Sequence, residues 1–343
     1  MPSLLRGFSA PVKVRHAYSD DDLAFLLAHD SDPFNRWDAG QQLSIRVLGR
    51  LVDDHRAGRK LVLDERLVEA FRSTLSDARL DRRLKAQALA LPDEGYLAEL
   101  ATEADPAAIH EARQFVRRGL GAALKSELTT AYWANHDSGP YVVDATAIGR
   151  RRLKNACLSY LMELDDSAIR VICVDQFDNG NNMTDVVAAL VALANVSCPE
   201  RTQSLKAFYD KWRDDPLVVD KWLTIQATAR LPNTLNAVKA LLHHPAFNIK
   251  NPNKVRSLVG AFCQANPVRF HDPSGAGYTF LTEQVQALDA INGQMAARMC
   301  QPLSTWRKYE PGRRALMKSA LERIAARPEL SKDLYEIVAK SLG

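Results

Sequence analysis

From Ser19 to the end, the chain is an almost unbroken series of segments with helix-start chemistry, apolar spacing at three and four residues, and helix-stop chemistry. Asp, Pro or Ser stands near each start, and Gly, Asn or His near each end. After the first few residues no stretch alternates apolar and polar side chains as a half-buried strand would. Helices of this kind can bury their apolar stripes only against one another, so the fold class is all-α. The pattern predicts a helix that starts after Ser19 with Leu23, Phe25, Leu26 and Leu27 as its apolar side, then helices over 33–57, 64–77, 81–91 and 92–101 and one long helix over 106–135. Beyond the Gly139-Pro140 break it predicts helices over 144–164, 167–177, 184–196, 199–212, 216–227, 232–243, 311–326 and 331–342.

Short connections between such segments favour antiparallel helix pairs stacked on their sequence neighbours. No fixed repeat period is present, so the expected architecture is an irregular superhelix, a solenoid of the HEAT or ARM kind with a concave inner face. Residues 2–18 differ: they are rich in Pro, Ser and β-branched residues and read as an extended entry segment. Two parts follow, 1–18 as a lead-in and 19–343 as the helical domain.

At 343 residues the chain exceeds the roughly 250–300 at which single cores stop growing, which a layered helical array accommodates. No run approaches the roughly 18 apolar residues of a membrane helix, and no secretion signal opens the chain. The five cysteines, Cys157, Cys173, Cys198, Cys263 and Cys300, form no CxxC pair and read as buried thiols of a cytoplasmic protein. A net charge of +4 comes from cations interspersed with anions, and Arg82-Arg83-Lys85 and Arg150-Arg151-Arg152-Lys154 read as solvated helix faces rather than a nucleic-acid grip.

Catalytic motifs are scarce. The nearest approach to HExxH is His110-Glu111-Ala112-Arg113-Gln114, where Gln114 stands in place of a second ligand and the segment reads as a surface turn of the long helix. No two histidines lie four apart, and His243 and His244 are adjacent, in keeping with a helix C-terminus. Asp20-Asp21-Asp22 follows the N-cap Ser19; successive helical residues diverge by about 100°, so the three carboxylates read as helix-start chemistry. Gly275-Ala276-Gly277, before Tyr278 and Phe280, reads as a turn that packs aromatics. Trp212 and Trp222, each in an Asp-Lys-Trp triplet, read as core.

The stretch from Asn251 to Tyr309 is unusual in joining two apolar helical segments to polar residues that helix surfaces do not need. Asn251-Pro252-Asn253, Asn266-Pro267 and Asp272-Pro273-Ser274-Gly275-Ala276-Gly277 bracket Arg256, Gln294 and Arg298, placing specific side chains beside rigid turns. This stretch resembles the C-terminal helical domain of bacterial aminopeptidases of the aminopeptidase N type, zinc exopeptidases of the M1 family. The resemblance extends back through Asn181-Asn182-Met183-Thr184-Asp185, Asp210-Lys211-Trp212 and Asp220-Lys221-Trp222 to Pro2-Ser3-Leu4-Leu5-Arg6-Gly7-Phe8.

The resemblance implies that the zinc ligands and the general base lie in an earlier domain, so this chain alone carries no cofactor and no peptidase activity while the parent enzyme carries zinc. It implies that residues 1–18 leave a small β-domain, and that the partners are the catalytic and β-domains of the same polypeptide, with peptides as substrates of the whole and neither nucleic acid nor membrane. Gln294, Arg298 and Arg256 then match positions lining the substrate chamber, which this domain would cap. The alternative is a free-standing helical scaffold whose concave face binds a protein or nucleic acid.

Overall fold

A computed structural model describes all residues from Met1 to Gly343. Twenty α-helices account for the regular structure: α1 Asp20–His29, α2 Pro33–Arg56, α3 Glu65–Ser76, α4 Arg82–Ala88, α5 Glu94–Leu100, α6 Pro106–Ala123, α7 Lys125–Ala134, α8 Ala145–Leu161, α9 Ser167–Asn179 and α10 Met183–Ala194. They continue as α11 Pro199–Trp212, α12 Pro216–Ala227, α13 Thr234–Leu241, α14 Pro252–Val255, α15 Ala261–Ala265, α16 Pro267–Phe270, α17 Ala276–Asp289, α18 Gly293–Ser304, α19 Pro311–Ala325 and α20 Lys332–Leu342. Strand-like pairing is confined to one isolated bridge between Ala104 and Tyr309. The chain is all-α.

The helices gather into two compact units, Met1–Asp93 with Glu111–Leu193, and Glu94–His110 with Ala194–Gly343. In the first, α1 packs on α2 and α3, and α8 packs on α4 and α7. Leu23, Leu27, Leu43, Leu48 and Leu67 are fully enclosed there. The start of α1 shows why the sequence was readable. Ser19 Oγ accepts the Asp22 N–H, Asp22 Oδ2 accepts the Ser19 N–H, and the two orphan donors are satisfied reciprocally. The three aspartates diverge as expected: Asp20 meets Arg46 and Arg50 at 3.1 and 2.6 Å, and Asp21 meets Arg66 at 3.3 Å.

Lys154 and Asp185 form an enclosed ion pair at 2.7 Å. Asn155 and Asn182 donate to the remaining Asp185 lone pairs, and Asn182 accepts the Asp185 N–H, so Asn182 and Asp185 of the Asn-Asn-Met-Thr-Asp motif are structural. Residues 1–18 contain no helix beyond the 3-10 turn Arg6–Phe8, where Leu5, Gly7 and Phe8 all have positive φ.

The single helix expected over 106–135 is two. The chain leaves helical geometry at Leu124 (φ −115°, ψ 18°), between α6 and α7. Gly121 explains the location, since a Cβ there would lie 2.7 Å from the Tyr160 carbonyl of α8. The backbones touch, and the helix yields where glycine has already weakened it.

In the second unit α17 packs on α18 and α19, and α18 and α19 on α20. Trp222 is enclosed, donates to the Leu205 carbonyl at 2.9 Å and packs against Tyr209 and His244, whereas Trp212 is only half-buried. His244 therefore belongs to an aromatic cluster beyond the end of α13. His110 is no surface residue: it is 6% exposed, with Nδ1 2.8 Å from Glu94.

Candidate functional site

The stretch from Asn251 to Tyr309 folds into more pieces than two helices. Asn251 accepts the Asn253 N–H and Pro252 occupies the first turn, which starts α14. The helix then widens into a π turn, Arg256–Gly260, before resuming as α15. Three consecutive residues, Leu258, Val259 and Gly260, are buried there. The turn carries its buried side on these three residues and leaves Arg256, at its start, on the outside. Arg256 is exposed and donates to Asn253 Oδ1 at 3.0 Å. Lys254, beside it, is buried, pairs with Asp220 at 2.7 Å and donates to the Pro216 carbonyl.

The turns that follow are set by packing. Asn266, 1% exposed, donates both amide hydrogens, to the carbonyl of Ala227 at the end of α12 and to that of Ala229 just beyond it. Gly275 sits at φ +72°, and a Cβ on Gly277 would lie 2.2 Å from the Phe270 carbonyl. The Gly-Ala-Gly loop thus brings Tyr278 and Phe280 against Phe270 and Phe262, with ring centroids 5.3 and 5.6 Å apart. His271 joins this cluster, 2.9 Å from the Tyr278 hydroxyl and stacked on Tyr309. Burial, reinforced by the Arg313 charge, pushes its imidazole down to about 3, so it stays neutral.

Helix α18 carries the other two residues. Asn292 accepts the Met295 N–H and starts it. Met295, Ala296, Ala297, Met299 and Cys300 face inward, while Gln294 and Arg298 are exposed one turn apart. Gly260 of the π turn lies against Met299, since a Cβ there would come 3.6 Å from the sulfur. The π turn and α18 are therefore neighbours through their buried sides, and Arg256, Gln294 and Arg298 all project away from that contact. A cleft of about 720 Å³ is lined by Leu75, Lys85, Thr130 and their neighbours, and by none of these three.

Metal chemistry finds no donor set here: no three His, Cys, Asp or Glu side chains converge to hold an ion. All five cysteines are free, and burial pushes the Cys157 and Cys300 thiols up to about 12, where they are poor ligands and nucleophiles. The residues that interpretation of the sequence overlooked lie near the N-terminus, where Asp30 is enclosed beside a cavity. It follows the end of α1 and precedes Asp32, the N-cap of α2.

This chain belongs to the DUF3458_C family, a domain of unknown function described as ARM repeats, which matches residues 20–343. Relatives carrying the same fold include aminopeptidase N of Escherichia coli K12, 40% identical over 343 residues, covering 100% of this chain and 39% of that protein. Aminopeptidase N of Caulobacter vibrioides is 40% identical over 342 residues, again covering 39% of its length. Among solved structures, Legionella pneumophila aminopeptidase A in complex with aspartic acid superposes with a TM-score of 0.88 at 33% identity, covering 99% of this chain and 40% of that one. The chain is thus homologous to the C-terminal domain of aminopeptidase N and spans about two fifths of the relatives' length.

No helix is long and apolar enough to cross a membrane.

Proposed function

We propose that this chain is the capping domain of a zinc aminopeptidase that removes N-terminal residues from peptides, acting in the cytoplasm. The observation that carries this reading is the 40% identity to aminopeptidase N along the whole chain, joined to the exposed pair Gln294 and Arg298 on a helix whose other side is core. A zinc ion polarises a peptide carbonyl and lowers the pKa of bound water, and its ligands would come from polypeptide outside these residues. Residues 1–18 would lead in from a β-domain, and residues 19–343 would form the lid.

In that setting the chain's own side chains bind and orient. The Arg298 guanidinium offers a planar fork suited to a peptide carbonyl or terminal carboxylate. Gln294, with one donor and one acceptor group, suits contact with the first side chain of the substrate. Arg256, tethered by Asn253, adds a second fixed cation to the chamber wall.

Alanine release from alanyl substrates and zinc content, measured on this chain and on a polypeptide that also carries the preceding domains, test the reading. The longer protein is expected to have both and this chain neither; hydrolysis by this chain alone would overturn it. In the longer protein Gln294→Ala should alter kcat/KM unequally among substrates differing in their first residue, and a uniform loss would remove Gln294 from that contact.

A further inference from the structure

Beneath the N-terminal segment lies a cavity of about 250 Å³, walled by residues 3–18 on one side and by α1 and α2 on the other. Asp30 lines it with a side chain only 1% exposed. Its Oδ1 accepts the Asp32 N–H at 2.8 Å, and its Oδ2 is buried with no hydrogen-bond partner. A buried carboxylate oxygen in that state calls for a donor. The cation paired with Asp30, Arg6, is half exposed and stands 3.9 Å from the other oxygen.

The rest of the wall defines what that donor should be. Asn35 spends both amide hydrogens on Ser3 Oγ and the Leu4 carbonyl, Gln42 directs its amide at Asp38, and the Tyr18 hydroxyl donates to the Pro2 carbonyl. Among the lining side chains Asp30 Oδ2 is buried without a partner, Asp38 supplies a second carboxylate, and the amide hydrogens of Asn35 are already committed, with the Ser3 hydroxyl the small donor beside them. Both acidic side chains of the lining are carboxylates without an arginine or lysine among the lining residues. Burial first, and then the field of Asp30 with a smaller part from Asp38, raises the pKa of the Tyr18 phenol. The rings of Phe8, Phe34, Tyr18 and His16 complete the wall, Phe8 and Phe34 with centroids 4.8 Å apart, and aromatic faces attract cations.

A site with free acceptors, negative charge and aromatic walls fits an organic cation that carries N–H donors. We infer that this cavity binds the primary ammonium group of a small amine, with Asp30 as its anchor, Asp38 as the second carboxylate and the rings around its alkyl chain. The volume falls below the roughly 300–1,000 Å³ of sites for drug-sized ligands, which limits the occupant to a short chain. Gly7, at φ +59°, donates its N–H to Asp32 and so ties the segment down over the space. This inference stands apart from the peptidase reading and would survive its failure.

The test is titration of n-butylamine, protonated at neutral pH, into the protein at constant ionic strength, followed by calorimetry and thermal melting. Saturable one-to-one binding with a rise in Tm is expected, because a ligand for the folded state alone stabilises it. n-Butanol, which lacks the charge, and tetramethylammonium, which lacks the N–H groups, should each bind at least about tenfold more weakly. Asp30→Asn keeps an oxygen for the Asp32 N–H and should also lose about tenfold. If circular dichroism shows that variant unfolded, Asp38→Asn must show the loss instead. Equal binding of butanol, absence of saturable heat at millimolar amine, or unchanged affinity in a folded variant would each overturn the assignment.

Discussion

At the scale of single residues, the buried charges carry the energetic weight. Lys154 and Asp185 are 5% and 6% exposed, and removing one partner leaves the other uncompensated in a low dielectric. Lys154→Met should therefore lower stability by about 3–5 kcal/mol in chemical denaturation. The double variant Lys154→Met, Asp185→Leu should recover much of that loss, and additive losses would show the pair to be uncoupled. Asp77 gives the pH counterpart. The Arg36 guanidinium, 3.0 Å away, holds its carboxyl down at about 2 against the opposing effect of burial. A folded-state value below the ordinary 3.8 means that the unfolded chain takes up the proton first. The contribution is thus complete above about pH 4 and drains away as pH falls toward 2. Melting temperatures of the parent and Asp77→Asn should differ most near neutrality and converge across that window; a constant gap would mean that the pair does not titrate.

At the scale of elements, the region around α18 separates residues that hold the fold from residues free to do something else. A Cβ on Gly277 meets the Phe270 carbonyl at 2.2 Å, so Gly277→Ala forces backbone apart and should cost about 1–3 kcal/mol. Gln294→Ala and Arg298→Ala remove only exposed groups and should move stability by no more than about 0.5 kcal/mol. Denaturant titrations of the three variants give the comparison, and a large loss at 294 or 298 would make those residues structural. Most helix starts were legible in the sequence because the cap is a local device. Ser19, Asp32, Asp64, Asp144, Asp166, Asp215, Asn292 and Ser331 each accept an N–H of the first turn, and nothing distant is needed to place them. The break at Leu124 was hidden, because it answers to a partner far along the chain, the Tyr160 carbonyl against Gly121, and the π turn Arg256–Gly260 carries no comparable local cap. For the candidate site, the shared exposed face of Gln294 and Arg298 follows from a spacing of four. The neighbourhood of Arg256 does not, since it depends on that π turn. Asp30 escaped notice because burial of a carboxylate is decided by what folds over it.

Across the whole molecule, this chain corresponds to only part of its relatives. The relatives are matched over 39% of their length, and in this chain no three His, Cys, Asp or Glu side chains converge to hold an ion. On the proposed capping role, the domain would act only while held over the reacting centre, and covalent linkage supplies an effective concentration of order mM. A separately made catalytic portion should then be poorly restored by this chain added in trans at micromolar concentration, with kcat/KM on a dipeptide rising little over that of the portion alone. Raising the added chain toward millimolar should restore it progressively, since the shortfall is one of occupancy. Full restoration at nanomolar levels would require an interface strong enough to hold without the link, and the dependence on covalent attachment would then fall away.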